Sequence, residues 1–134
     1  MTKYSLNVTS VSPFLEGKPQ QAIILCHGYG GDGKDISILA NNWRRFLPNA
    51  IFLCPDAPEI CSINSGGYQW FDLMSEDESK IVENSLIAEK KLNLFIDEIL
   101  ESLNLSPDKL GLVGFSQGCM LALQAALKRE DKIK

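Results

Sequence analysis

The chain has 134 residues, 45% of them hydrophobic and 22% charged, with a formal net charge of -4; that length allows a single domain with a sizeable core, and the fractions are those of a folded rather than a disordered chain. Lysine and arginine are scattered, so a nucleic-acid binder's electrostatic footprint is missing. No apolar run approaches the ~18 residues of a membrane span, and the opening "MTKYSLNVTS" lacks a signal peptide's apolar core, so a cytoplasmic location is expected.

Along the chain, Tyr4, Leu6 and Val8 alternate with polar residues, as a half-buried first strand would. "AIILC" (Ala22 to Cys26) is a short continuous apolar run, the mark of a strand buried on both faces. The glycine-rich "HGYGGDGKD" follows. Ile36, Leu39, Ala40, Trp43, Phe46 and Leu47 then fall at helical spacing, which predicts an amphipathic helix over Asp35 to Leu47. "AIFLC" (Ala50 to Cys54) repeats the buried-strand pattern. Pro55 to Gly67 reads as a long loop, and "YQWFDLMSEDES" as irregular chain with exposed aromatics. Lys80 to Leu103 is a long helix with a core stripe of Ala88, Leu92, Phe95, Ile96, Ile99 and Leu103. "LGLVGF" (Leu110 to Phe115) is a third buried strand, and Gln117 to Lys128 a last helix. This order predicts an α/β fold, a mainly parallel sheet with helices on both faces.

The cysteines, Cys26, Cys54, Cys61 and Cys119, form no CxxC pair, and one histidine cannot complete a usual zinc spacing. Reduced thiols are expected, with no metal.

Two glycine-rich turns carry chemistry. The first, Gly28 to Lys34, satisfies both GxGxxG and GxxxxGK between a strand and a helix, where phosphate-binding loops belong. Asp56 lies about where a ribose-binding acid would be. Against nucleotide binding, Asp35 stands where a P-loop needs Ser or Thr, and Asp32 and Asp35 put negative charge beside the supposed phosphate. A plain structural turn is the other alternative.

The second turn, "GFSQG", is G-x-S-x-G centred on Ser116. Small neighbours are needed where a serine sits on a sharp strand-to-helix bend. The following helix directs its first N–H groups at the same spot, which favours an oxyanion. The bland alternative is a serine that only caps a helix.

With "ILCHGYGGDG", "FLCPDAP", "WFD" followed by "EDES", and "GFSQG" in that order, the chain resembles the N-terminal part of the phospholipase/carboxylesterase family of α/β-hydrolases, which includes acyl-protein thioesterases. The resemblance spans roughly Ala22 to Ala126. It implies an incomplete α/β-hydrolase fold, residues 1–134 forming the N-terminal part of one domain that ends just after the nucleophile-elbow helix. It also implies cofactor-free hydrolysis of small carboxylic esters or thioesters through an acyl-enzyme. By the same resemblance Ser116 is the nucleophile. The backbone N–H groups of Tyr29 and Gln117 form the oxyanion hole, and Trp70 and Phe71 wall the acyl site, a core or surface-packing role being the alternative for the two aromatics.

One departure stands out. The hydrolase order is Ser, then Asp or Glu, then His, and after Ser116 the chain contains Asp131 but no histidine. Asp131 is expected on solvated surface at the end of the elbow helix. His27, the only histidine, matches a structural position at the head of the oxyanion loop. Triad Asp and His are thus absent, and efficient turnover by these residues alone is not expected. Leu110 to Phe115 becomes an apolar sheet edge open to self-pairing or to a separate C-terminal polypeptide. The alternative to an enzyme is therefore an inactive remnant or interaction module that pairs through that strand.

Overall fold

The computed structural model describes residues 3–134. Its main sheet has four strands in the order β1-β3-β2-β6: β1 (Val8–Val11), β2 (Gln21–Cys26), β3 (Ala50–Pro55) and β6 (Leu110–Gly114). β2 is parallel to both neighbours, with Ile24 opposite Leu53 on one side and Leu112 on the other, while β1 runs antiparallel to β3.

The apolar runs of β2 and β3 are explained by helices on both sides. Ala22, Ile24, Cys26 and Leu53 face α2 (Glu78–Leu103) and α3 (Gln117–Lys128), where Ala88, Leu92, Phe95, Ile96, Ile99, Leu121 and Ala125 complete one core. Leu25, Phe52 and Cys54 face α1 (Gly33–Trp43), packing on Ile36 and Ala40. Each fully buried Leu, Ile or Phe contributes roughly 1.5–3 kcal/mol. The mainly parallel sheet covered on both faces is the arrangement expected from the order of elements in the sequence.

Helix ends follow local chemistry. Asp32 caps α1 by accepting from Asp35 N at 2.7 Å, and Asp77 caps α2 by accepting from Ser79 N at 3.0 Å. α2 ends at Asn104, which takes the left-handed conformation (φ 51°) that asparagine tolerates. α1 stops at Trp43 rather than Leu47. Pro48 disfavours helical geometry at the residue before it, and the chain turns there through bonds from Phe46 N and Leu47 N to Trp43 O. Phe46 is consequently 82% exposed instead of in the core.

Two further expectations are corrected. The first strand begins at Val8, because Tyr4 and Ser5 are tied to α2 instead: Ser5 bonds Glu98, and Tyr4 bonds Ser102 and packs edge-on against Phe95. The stretch expected to be a long loop contains a hairpin, β4 (Glu59–Cys61) and β5 (Asn64–Gln69). Its Asn, Ser and Gly residues carry no strand propensity.

β6 lies at the sheet edge, as expected, but part of that edge is already engaged. After α3 the chain turns back, and Lys134 N donates to Leu110 O at 2.8 Å while Leu112 N donates to Lys134 O at 2.6 Å. That alternation is the pattern of a parallel ladder. Arg129 holds the return in place through Asp97 on α2 and through Asp131. Asp131 is thus half-buried in an ion pair rather than free surface.

Candidate active site

β6 ends at Gly114 and α3 begins at Gln117, so Phe115 and Ser116 must make the whole bend. Ser116 does so at φ 55°, ψ -121°, outside the regions open to ordinary residues. Such strain costs of order 1–3 kcal/mol and persists only where the surroundings enforce it. Here they do. A Cβ on Gly114 would come 2.5 Å from Cys119 Cα, and one on Gly118 would overlap the carbonyl oxygens of Cys26 and His27. Phe115 N meanwhile donates to Cys26 O at 3.0 Å. Ser116 is exposed, and its side chain makes no capping hydrogen bond. A serine serving only as a cap would bond the N–H of the second or third helical residue, so the capping alternative does not fit.

The turn after β2 lies against this elbow: a Cβ on Gly28 would stand 3.2 Å from Ser116 Cβ. The backbone N–H groups of Tyr29, in that turn, and of Gln117, at the first position of α3, donate to no protein acceptor among the described residues. Two unspent donors and a helix N-terminus therefore flank Ser116.

His27 is buried (2% exposed) behind the same turn. Its Nδ1–H donates to Gly28 O at 2.7 Å, and its Nε2 accepts from Ala57 N at 2.9 Å. Both nitrogens are spent on backbone. Burial holds its pKa below the ordinary 6.5, against the opposing pull of the Gly28 carbonyl and nearby carboxylates. It is a neutral structural histidine with no nitrogen left to take a proton from Ser116.

Trp70 and Phe71 are core residues, 1% and 4% exposed, not the exposed aromatics expected. Trp70 Nε1 donates to His27 O at 2.9 Å, and its ring packs 5.6 Å from the His27 ring. Neither residue lines the cleft beside the elbow. Their connection to the site runs through the buried Gln117 side chain, whose Oε1 accepts from Trp70 N at 3.0 Å and whose Nε2 donates to Phe71 O at 2.7 Å. Sequence reasoning gave Gln117 only its backbone N–H. The core alternative for the two aromatics is the one the structure takes, and an isolated Trp-Phe pair in a polar stretch has no periodicity to indicate it.

The nucleotide alternative meets a filled position. At the N-terminus of α1, where a phosphate would sit, Asp56 Oδ1 accepts from Gly33 N at 2.8 Å and Asp32 accepts from Asp35 N. An anion there would have to displace carboxylates. Beside the elbow lies instead an open apolar cleft of about 400 Å³, lined by Tyr29, Ile36, Ile38, Leu39 and Phe115. The four cysteines are free thiols, with Cys26 and Cys54 pushed up to about 12 by burial. No helix among the described residues is long and apolar enough to cross a membrane.

The family model described as Phospholipase/Carboxylesterase matches residues 12–134. Acyl-protein thioesterase 1 of Schizosaccharomyces pombe is 34% identical over 110 residues, covering 78% of this chain and 48% of that protein. Among solved structures, esterase PE8 superposes with a TM-score of 0.85 at 33% identity, over 99% of this chain and 61% of that one. Zea mays acyl-protein thioesterase 2 gives 0.59 at 28% identity, over 90% and 50%. The chain spans about half the length of the curated relatives it matches.

Proposed function

The chain belongs to the phospholipase/carboxylesterase family, and from that premise we propose that it carries the nucleophile and oxyanion half of a serine hydrolase site for carboxylic esters or thioesters. The observation that supports this best is the strained, exposed Ser116 between two unspent backbone donors. A helix cap or structural turn has no use for that combination.

In the proposed reaction Ser116 Oγ attacks the acyl carbon and its proton passes to a base. The carbonyl π electrons move onto oxygen, where the N–H groups of Tyr29 and Gln117 receive the charge. Collapse expels the alcohol or thiol and leaves an acyl-enzyme, which water then hydrolyses. Removing one such oxyanion donor typically costs about 2.7–4 kcal/mol. No cofactor is required. The base is not His27, whose ring nitrogens are both bonded; on this reading a further segment or a separate polypeptide supplies it. β6 supports a route for it: its outer edge already accepts Lys134 as a parallel neighbour, and a further strand there, in cis or from a separate C-terminal polypeptide, would bring its loops to the Ser116 end of the sheet. The same edge supports the second reading, an interaction module that pairs through Leu110 to Phe115.

The test is hydrolysis of p-nitrophenyl acetate and butyrate, with fluorophosphonate labelling, by the chain and by Ser116→Ala, each with imidazole supplied as the base that the chain lacks. Labelling and turnover that vanish in Ser116→Ala support the hydrolase reading. Equal background in both leaves the elbow as architecture and favours the interaction module.

A further inference from the structure

The turn that carries Tyr29 is held by the hairpin through three hydrogen bonds. Gly30 N donates to Tyr68 O at 2.9 Å, Tyr68 N donates to Gly31 O at 2.8 Å, and Asn64 Nδ2 donates to Gly30 O at 2.9 Å. The approach is so close that a Cβ on Gly67 would overlap the Gly30 carbonyl. The side chain of Tyr29 is held as well. Its hydroxyl oxygen lies 2.7 Å from that of Ser62 and each lies 3.1 Å from Asp72 Oδ1, so the two hydroxyl protons are shared among these three contacts. Met74 N completes the set on the same oxygen at 2.9 Å.

Asp72 follows directly on the Trp70–Phe71 pair that the Gln117 side chain grips. One five-residue segment, Tyr68 to Asp72, therefore holds both turns that supply the unspent N–H groups. Tyr68 and Asp72 hold the Tyr29 turn; Trp70 and Phe71 hold the first residue of α3. The two turns come from ends of different strands, β2 and β6. Donors aimed at a developing charge act through preorganisation, so their separation must be set by something rigid.

We propose that the Tyr68–Asp72 segment is the strut that fixes the spacing of the two oxyanion donors, with the Tyr29 hydroxyl, Ser62 and Asp72 as positioning residues for the Tyr29 N–H. The donors' role rests on the hydrolase reading above; the bracing itself does not. The Asp72 carboxyl is held below the usual carboxylate range, chiefly by the Met74 N–H and then by the Ser62 and Tyr29 hydroxyls, so the brace keeps its charged acceptor at neutral pH. Their effect on the donor is exerted through the Tyr29 backbone.

The experiment is residue-resolved amide hydrogen exchange on the chain and on Tyr29→Phe, Asp72→Ala and Asp72→Asn, with Ser116 fluorophosphonate labelling followed against probe concentration in the presence of imidazole, which supplies the base that the chain lacks. Exchange at Gly30 and Tyr68 should speed up about tenfold in Tyr29→Phe and Asp72→Ala while β2 and β6 amides hold. Asp72→Asn, which keeps an acceptor oxygen, should restore protection. The maximal labelling rate should fall about tenfold with the half-saturating concentration unchanged, because geometry and not binding is lost. Gly30 exchange within about twofold of wild type, or an increase spread equally over β2 and β6, overturns the brace. Local loosening with an unchanged maximal rate overturns the positioning role. Absence of labelling in the wild type overturns the hydrolase reading instead, and exchange then decides the brace alone.

Discussion

Gln117 shows how one side chain can matter beyond its own neighbourhood. Its amide is buried and satisfies Trp70 N and Phe71 O, two groups that have no other partner among the described bonds. Gln117→Ala strands both, and a buried unsatisfied group costs about 1–3 kcal/mol. The expected loss of stability is about 2–4 kcal/mol by urea unfolding; a loss under about 0.5 kcal/mol would mean the loop relaxes to other partners. His27 supplies a pH signature. Its folded pKa lies below 6.5, so below that pH the unfolded chain binds more protons than the folded one. Its contribution is complete above about pH 6.5 and is lost as pH falls toward the folded value. Unfolding midpoints between about pH 7.5 and 5 should drop more steeply in the wild type than in His27→Gln, whose side-chain oxygen can accept from Ala57 N without titrating; equal slopes would contradict the buried neutral state.

At the scale of elements, the helices divide their residues sharply. Leu92 on α2 is fully buried, whereas Leu94, two positions on, is 53% exposed. Leu92→Ala should cost about 2–5 kcal/mol, and Leu94→Ala should stay within about 0.5 kcal/mol; similar losses in chemical denaturation would mean α2 is rotated from this placement. The start of α3 is constrained by backbone instead. Gly118→Ala drives a methyl into the Cys26 and His27 carbonyls and should cost at least about 2 kcal/mol. It should also abolish Ser116 labelling, since β2 and the elbow can then no longer close. Retained stability and labelling would show that the bend tolerates a shift.

Across the whole molecule, one face stands out. Ile38, Leu39 and Phe115 are exposed around the cleft beside the elbow, next to the β6 edge. Exposed apolar groups beside an open strand favour association. The chain should therefore self-associate in sedimentation velocity as concentration rises. Ile38→Lys together with Phe115→Lys should shift it toward monomer, and a wild type that stays monomeric throughout would remove self-pairing from consideration.

Much of this protein was legible from its residues because the relevant physics is local. Continuous apolar runs announced β2, β3 and β6, helical spacing announced the buried stripe of α2, and G-x-S-x-G announced the bend at Ser116, since small residues are required wherever backbones crowd. Tertiary structure alone decided the rest. The β4–β5 hairpin is rich in Asn, Ser and Gly, poor strand formers, and is held because its backbone pairs with itself and with the turn at Gly30 and Gly31. Trp70 and Phe71 lie in the core because residues far along the chain, His27 and Gln117, satisfy the polar groups that accompany them. Asp72 meets Tyr29 across 43 residues of chain and Ser62 across 10. Propensity and periodicity act within a few residues, whereas a buried hydrogen bond depends on which distant groups the fold brings within about 3 Å.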